Sequence, residues 1–158
     1  MVGNFFSSVL LSGKIRMAGH NDFHIIHEAG RLTISFQSTM ENIDRVDQES
    51  RFFLEKSGLQ SEIFSVCLCM REGLTNAVRH GHQNNASKIV KYSLSRTGQG
   101  LIMEIEDEGD GFDWKSIEKR KPDFDSEHGR GLVIIRKYFS TYSFNEKGNK
   151  LTLVKILS

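Results

Sequence analysis

The length, composition and charge of the chain exclude several classes of protein. Its 158 residues are enough for one domain with a sizeable hydrophobic core. Charged residues make up 26% of the chain but the formal net charge is only +1, so no overall basic field predicts nucleic-acid binding. The apolar run FFSSVLL is too short to span a bilayer, which argues against a membrane protein.

The first 30 residues are predicted to form a tail ahead of the domain. Residues 1–30 show no sustained hydrophobic periodicity. Lys14 and Arg16 follow the apolar run instead of preceding it, which is the wrong order for a secretory signal peptide. Met17 is an alternative natural start, and the domain itself is expected to span residues 31–158.

The two cysteines are predicted to remain free thiols. Cys67 and Cys69 are two residues apart in a helical pattern, so their side chains point to different sides of the helix. This usage is typical of a reducing compartment, and we expect a cytoplasmic protein. No cysteine pair has zinc-site spacing, so the scattered histidines do not predict a zinc site.

The first regular patterns predict a strand followed by a helix. Leu32, Ile34 and Phe36 alternate with polar neighbours, which is typical of a half-buried strand. Residues 38–41, STME, combine a capping Ser/Thr with an early acid and begin a helix that is expected to end at about Lys56.

A longer helix is predicted from about Ser61 to His80. Its apolar residues recur at steps of three and four and define a buried stripe: Ile63, Val66, Cys67, Met70, Leu74, Ala77 and Val78. On the opposite face, Glu72 and Asn76 lie one turn apart. A solvated polar face is the ordinary interpretation of that pair. Gly73, however, costs the helix about 1 kcal/mol relative to alanine, which indicates that another group packs close to it.

Two strands, residues 87–95 and 100–106, lead into the segment DEGDGF. The period of two places Asp107 on the inward face of the second strand, where a carboxylate needs hydrogen-bond donors that a ligand can supply. One Asp-Gly pair would satisfy a hairpin turn, so the second glycine remains unexplained. Gly109 and Gly111 permit positive φ and close approach of another group.

A polar segment, residues 114–128, separates DEGDGF from a second glycine pair in GRGL, residues 129–132. A helix carrying Leu132 follows, and glycines at a helix N-terminus expose backbone N–H groups that can hold phosphate. A flexible hinge is the alternative explanation of a single GxG. Two strands, residues 142–146 and 151–157, close the chain around a KGN hairpin turn.

Three motifs together resemble a known superfamily. ExxxN in EGLTNAVRHG, DxGxGF in DEGDGF and GxGL in HGRGL are similar, in this order, to the ATP-binding boxes of gyrase, heat-shock chaperone, histidine kinase and mismatch-repair ATPases. Over about residues 31–157 the chain most resembles the bacterial anti-sigma-factor serine-protein kinases, and NAVRHG and the ending FNEKGNKLTLVKIL add to the match. The resemblance implies an α/β two-layer sandwich, the Bergerat ATP-binding fold, with helices on one face of a mixed, mostly antiparallel sheet.

The resemblance also implies roles for individual residues. Asp107 would accept a hydrogen bond from the adenine amino group, directly or through water, and Gly109 and Gly111 would leave space for the base. Asn76 would hold Mg²⁺, which neutralises phosphate charge. Glu72 would be the catalytic base that receives the proton of the attacking hydroxyl.

The phosphates are implied to lie against the GRGL segment. Gly129 and Gly131 would present backbone N–H groups to the triphosphate, and Arg130 could add charge. Whether Arg120 or Arg130 contacts the γ-phosphate stays open. The remaining residues of the expected nucleotide site are His80, Phe112 and Leu132.

The implied function is an ATP- and Mg²⁺-dependent serine-protein kinase. It would phosphorylate an anti-anti-sigma partner of the STAS type and hold a sigma factor inactive in another complex, with homodimers expected by analogy and no direct contact with nucleic acid or membrane. The alternative is a nucleotide-binding regulatory module without kinase activity, although the presence of both Glu72 and Asn76 favours an active enzyme. A histidine kinase is disfavoured, because only His27–Glu28 offers a phospho-acceptor dipeptide and too few residues precede the domain for a dimerising hairpin.

Overall fold

A single sheet forms one layer of the computed structural model, which describes residues 10–11, 14–18, 23–115 and 127–157. The strands are β1 Leu10–Leu11, β2 Lys14–Ala18, β3 Phe23–Glu28, β4 Arg31–Gln37, β5 Ile89–Thr97, β6 Gly100–Glu106, β7 Thr141–Phe144 and β8 Lys150–Ile156. Their order in the sheet is β1-β2-β3-β4-β5-β6-β8-β7. All seven strand pairs in the described part of the chain are antiparallel, so the parallel pairing implied by a mixed sheet is not found there.

Helices form the second layer, and the predicted α/β fold class is confirmed. They are α1 Met40–Lys56, a 3₁₀ turn Gln60–Glu62, α2 Ile63–Asn76, a π turn Ala77–Gly81 and α3 Glu127–Tyr138. The predicted cap of α1 is present, since the Thr39 side chain accepts a hydrogen bond from the Asn42 N–H at 3.2 Å. No helix in the described ranges is long and apolar enough to cross a membrane.

The sheet extends into the segment that the sequence predicts to be a tail. β3 pairs with β4 along its whole length, and β2 pairs with β3. Phe23 is buried against Phe36, with ring centroids 5.9 Å apart. The prediction of a tail is therefore wrong for Lys14–Ala18 and Phe23–Glu28. Ile26 on the outward face and His27 on the inward face interrupt the apolar alternation in FHIIHE, and this weakens the pattern on which a strand is recognised.

The hydrophobic core lies between the helices and the inward residues of β4, β5, β6 and β8. Tyr92 is fully buried there and shares a 2.9 Å hydrogen bond with Ser50 of α1. The predicted stripe of α2 is buried except for Ile63, which is half-buried. The close neighbour predicted at Gly73 is Ile105, because a Cβ at Gly73 would lie only 2.5 Å from its Cδ1 atom. This contact brings the polar face of α2 to the end of β6.

The two cysteines are buried free thiols, as predicted from their spacing. Burial raises the pKa of Cys67 to about 12 and that of Cys69 to about 11. Both side chains are therefore protonated near neutral pH and act as small apolar groups in the core.

The start of α3 differs from the prediction. The sequence predicts a helix that starts at Leu132, whereas α3 begins at Glu127 and includes both glycines of GRGL. Each glycine costs a helix about 1 kcal/mol relative to alanine. This cost does not end the helix, because α3 is held by tertiary contacts in which Ile135 is buried in the core and Phe139 is buried just after its end.

Candidate functional site

A cavity of about 440 Å³ opens where α2, the π turn, the end of β6, α3 and the β7–β8 hairpin meet. It is the place where the three sequence motifs converge. The predicted site residues that line it are Asn76, His80, Asp107, Gly111, Phe112, Gly131 and Leu132. Its size is within the usual range of small-molecule sites in proteins.

Asp107 lies directly after β6 at the cavity wall. Its Oδ1 atom accepts a hydrogen bond from the Gly109 N–H at 2.7 Å. Asn149 holds the Asp107 backbone on both sides, since its side chain donates to the Asp107 carbonyl at 2.6 Å and its carbonyl accepts from the Asp107 N–H at 2.9 Å. Desolvation by burial raises the pKa of Asp107 above its ordinary value. The described protein donors use Oδ1, so Oδ2 is available to accept from a ligand.

The π turn packs against the segment that follows β6. A Cβ at Gly81 would lie 2.6 Å from the Asp107 carboxylate, and a Cβ at Gly109 would overlap the Gly81 carbonyl oxygen. The space beside Gly109 is thus occupied by protein backbone, whereas the resemblance assigned it to the adenine base. The π turn itself was missed, because the change from i+4 to i+5 bonding, seen in the His82 N–H to Ala77 carbonyl bond of 2.8 Å, leaves no signature in the periodicity.

His82 is buried beneath the segment that follows β6 and is hydrogen-bonded to its backbone. It is 1% exposed, and its Nε2 atom accepts a hydrogen bond from the Glu108 N–H at 2.7 Å. Because a backbone N–H can only donate, Nε2 is unprotonated, and the neutral ring carries its proton on Nδ1. Burial lowers the pKa of His82, the nearby Lys88 lowers it further, and the Asp107 and Glu108 carboxylates oppose the shift.

This arrangement predicts that the stability of the fold declines in mild acid. The folded-state pKa of His82 lies below its ordinary value of about 6.5, so the neutral ring contributes its full stability above that value. The contribution is lost as the pH falls through 6.5 towards the lowered pKa, at a limit of about 1.4 kcal/mol per pH unit. Between pH 7.5 and 5.5, denaturant unfolding should show a larger loss of stability for the wild type than for His82→Gln, which cannot titrate.

The control for this measurement is His24→Gln, at an exposed histidine of β3. It should show the same acid loss as the wild type. An equal loss in the wild type and His82→Gln would show that His82 does not titrate in this window.

Glu72 and Asn76 lie beside each other on α2. The Asn76 Nδ2 atom donates a hydrogen bond to Glu72 Oε1 at 3.4 Å, and both side chains are half-buried. Asn76 lines the cavity, and its Oδ1 atom is left to bind a cation. No group of three or more His, Cys, Asp or Glu side chains that could hold a metal ion occurs among the described residues. A divalent cation here would therefore take Asn76 as its protein ligand, with phosphate and water oxygens as the others, which suits Mg²⁺.

The α3 side of the cavity is formed by Gly131, Leu132 and Ile135. Gly129 and Arg130 lie in the first turn of α3, where the structure describes only their helical backbone. Arg120 and most of the polar segment, residues 116–126, lie outside the described residues.

Two aromatic rings, Phe112 and Phe144, form part of the cavity wall. The Phe112 ring meets that of Phe144 edge to face, with centroids 5.0 Å apart. Trp114 stacks on the other side of Phe144, at 6.1 Å, and its indole N–H donates to the Asn145 carbonyl at 3.0 Å. Of these rings, Phe112 and Phe144 line the cavity and give it an apolar surface.

The contribution of the β7–β8 hairpin was not predicted. Asn145 Oδ1 accepts hydrogen bonds from the three backbone N–H groups of Gly148, Asn149 and Lys150 and so shapes the turn. Gly111 has a φ of +78°, and a Cβ there would overlap the Lys147 carbonyl. The KGN turn indicated a hairpin, but a local pattern cannot show that the hairpin packs against DEGDGF.

Comparison with known proteins identifies a family model and several relatives that match most of the chain. A family model described as "Histidine kinase-like ATPase domain" matches residues 36–155. The chain is 26% identical over 133 residues to an anti-sigma F factor of Clostridium perfringens, covering 79% of this chain and 94% of that protein. It is 26% identical to an anti-sigma F factor of Anoxybacillus flavithermus, covering 80% and 88%. It is 28% identical to the anti-sigma F factor of Bacillus subtilis strain 168, covering 80% and 91%.

Proposed function

We propose that this chain, which belongs to the histidine kinase-like ATPase domain family, is an ATP-dependent protein serine kinase and an anti-sigma factor. The family implies ATP binding, and the relatives named anti-sigma F factor support a sigma factor as one partner. The observation that carries the kinase proposal is the hydrogen bond between Glu72 and Asn76, because Asn76 lines the same cavity as Asp107.

The nucleotide would bind with its adenine next to Asp107. The free Oδ2 atom of Asp107 accepts from the adenine amino group, and Phe112 offers an apolar surface beside it. The triphosphate extends towards Gly131 and the start of α3, where backbone N–H groups and the helix dipole favour negative charge. Mg²⁺ bound at Asn76 would neutralise charge on the phosphates.

The transfer step requires a base close to the γ-phosphate. Glu72 takes the proton from a serine hydroxyl of the partner, and the serine oxygen forms a bond to the γ-phosphorus. The bond between the γ-phosphorus and the bridging oxygen breaks, and ADP leaves with that oxygen. Asn76 positions the Glu72 carboxylate through its 3.4 Å hydrogen bond.

The partners follow from the same proposal. The phosphate acceptor is an anti-anti-sigma protein with a STAS domain, the sequestered protein is a sigma factor, and the kinase is a homodimer. The second candidate function is a regulatory module that binds nucleotide without transferring phosphate. The placement of a carboxylate beside the cation ligand favours the kinase, because a switch-only module needs no base.

Transfer of labelled γ-phosphate tests this function. We expect the purified chain, ATP and Mg²⁺ to place phosphate on a serine of the STAS-domain protein that co-purifies with it from the native cell, with one ADP released per phosphate. A chain whose affinity for the partner changes with ATP while no phosphate is transferred would instead be the regulatory module. Mass spectrometry of the partner identifies the modified residue.

A further inference from the structure

Gly131 of α3 lies in direct contact with Glu72 of α2. A Cβ at Gly131 would overlap Glu72 Oε1 and would lie 3.0 Å from Cδ and 3.1 Å from Cγ. The carboxylate therefore occupies the space that a side chain at position 131 would fill. On its other side, Oε1 accepts the hydrogen bond from Asn76.

The other end of α3 is tied to the sheet and to the start of α2. Lys155 of β8 donates to the Tyr138 carbonyl at 2.8 Å and to Ser65 Oγ at 3.1 Å, and it forms an ion pair with Glu62 at 3.0 Å. Lys155 is largely buried, so these contacts are weakly screened by solvent. They fix the place of α3 relative to α2 and hence the place of Gly131 relative to Glu72.

We propose that Gly131 is a positioning residue for the base Glu72. Because Gly131 has no side chain, α3 packs directly on the Glu72 carboxylate. Together with Asn76, α3 holds this carboxylate in one orientation. The inference rests on the proposed kinase function. It is distinct from a phosphate contact of the Gly131 N–H, since it depends on the missing Cβ and not on the backbone.

The substitution Gly131→Ala separates these two roles. Alanine keeps the backbone N–H, and it favours a helix by about 1 kcal/mol over glycine. The atom that its methyl group would meet is the end of a flexible side chain, so rotation of Glu72 relieves the overlap without unfolding α3. The fold and nucleotide binding are retained, and the base is moved. A displacement of about 1 Å at a reacting group can cost about 100-fold in rate.

The experiment compares Gly131→Ala with Gly98→Ala, a matched control at a glycine whose Cβ would meet nothing within 4 Å. We expect Gly131→Ala to lower kcat of phosphate transfer by roughly 10-fold to 100-fold with an unchanged KM for ATP, and Gly98→Ala to match the wild type. In the Glu72→Gln background, Gly131→Ala should have no further effect, because the base through which it acts is already absent.

A second measurement does not depend on kinase activity. The ¹³C signal of the Glu72 carboxyl carbon, assigned by its loss in Glu72→Gln, should shift in Gly131→Ala and stay in place in Gly98→Ala. An unshifted signal overturns the inference even if the wild type is an active kinase, as does a kcat equal to that of the wild type. If the Glu72 signal shifts in Gly131→Ala while the wild type transfers no phosphate, the contact between Gly131 and Glu72 is supported and the kinase function is refuted.

Discussion

Glu72→Gln is expected to lower the rate of phosphate transfer by roughly 10²-fold to 10⁴-fold, the usual effect of removing a general base. Glutamine has the shape of glutamate and keeps an Oε1 atom that accepts from Asn76 Nδ2, so the geometry of the pair is retained. Its neutral amide cannot take the proton of the attacking hydroxyl. The affinity for MgATP should therefore change little, and calorimetry beside single-turnover transfer measures both quantities.

Two further variants serve as comparisons for Glu72→Gln. Glu55→Gln removes the same charge from an exposed position of α1 and should transfer phosphate at the wild-type rate. Asn76→Ala should fail differently, by losing the Mg²⁺-dependent part of ATP binding. If Glu72→Gln transfers phosphate as fast as the wild type, Glu72 is an ordinary helix residue and the catalytic assignment is wrong, even where the ATP site survives.

Apart from the π turn and the start of α3, the elements described between residues 31 and 157 were predictable because their hydrophobic periods are clear. The alternation of β4, the stripe of α2 and the apolar row of β6 each place residues that are buried in the structure, and most strand bounds differ from the predictions by two residues or fewer. β3 was missed because Ile26 and His27 interrupt the alternation, although His27 has a hydrogen-bond partner in Glu49 at 3.3 Å. A local sequence pattern depends on residue type and cannot show a partner that is distant along the chain.

The arrangement of the candidate site was predictable where the residues in contact belong to the same helix or strand. Glu72 and Asn76 are one turn apart on α2, so helix geometry alone places them together. The contact of Glu72 with Gly131 joins residues of two helices, and the support of Asp107 by Asn149 joins β6 to the last hairpin. Such contacts depend on how the layers pack, and no spacing in the sequence specifies them.

The affinity for adenine nucleotides is expected to depend on Asp107 having two oxygens. One oxygen, Oδ1, already accepts from the Gly109 N–H at 2.7 Å, and the other would accept from the adenine amino group. An asparagine side chain has a single oxygen, so Asp107→Asn leaves either Gly109 or the ligand without its acceptor. We expect ATP binding to weaken by roughly 1.5–3 kcal/mol, the scale of one charge-assisted hydrogen bond.

Calorimetry with ATP and GTP tests this role of Asp107. Guanine carries a carbonyl oxygen where adenine carries an amino group, so the Asp107 carboxylate should repel it and the wild type should prefer ATP. Asp107→Asn should narrow that preference, because its amide N–H can donate to the guanine oxygen. Glu106→Gln is the matched control, since it removes a charge one residue away on the opposite face of β6 and should leave both affinities unchanged. Equal binding of ATP and GTP by the wild type would show that Asp107 does not discriminate between the two bases.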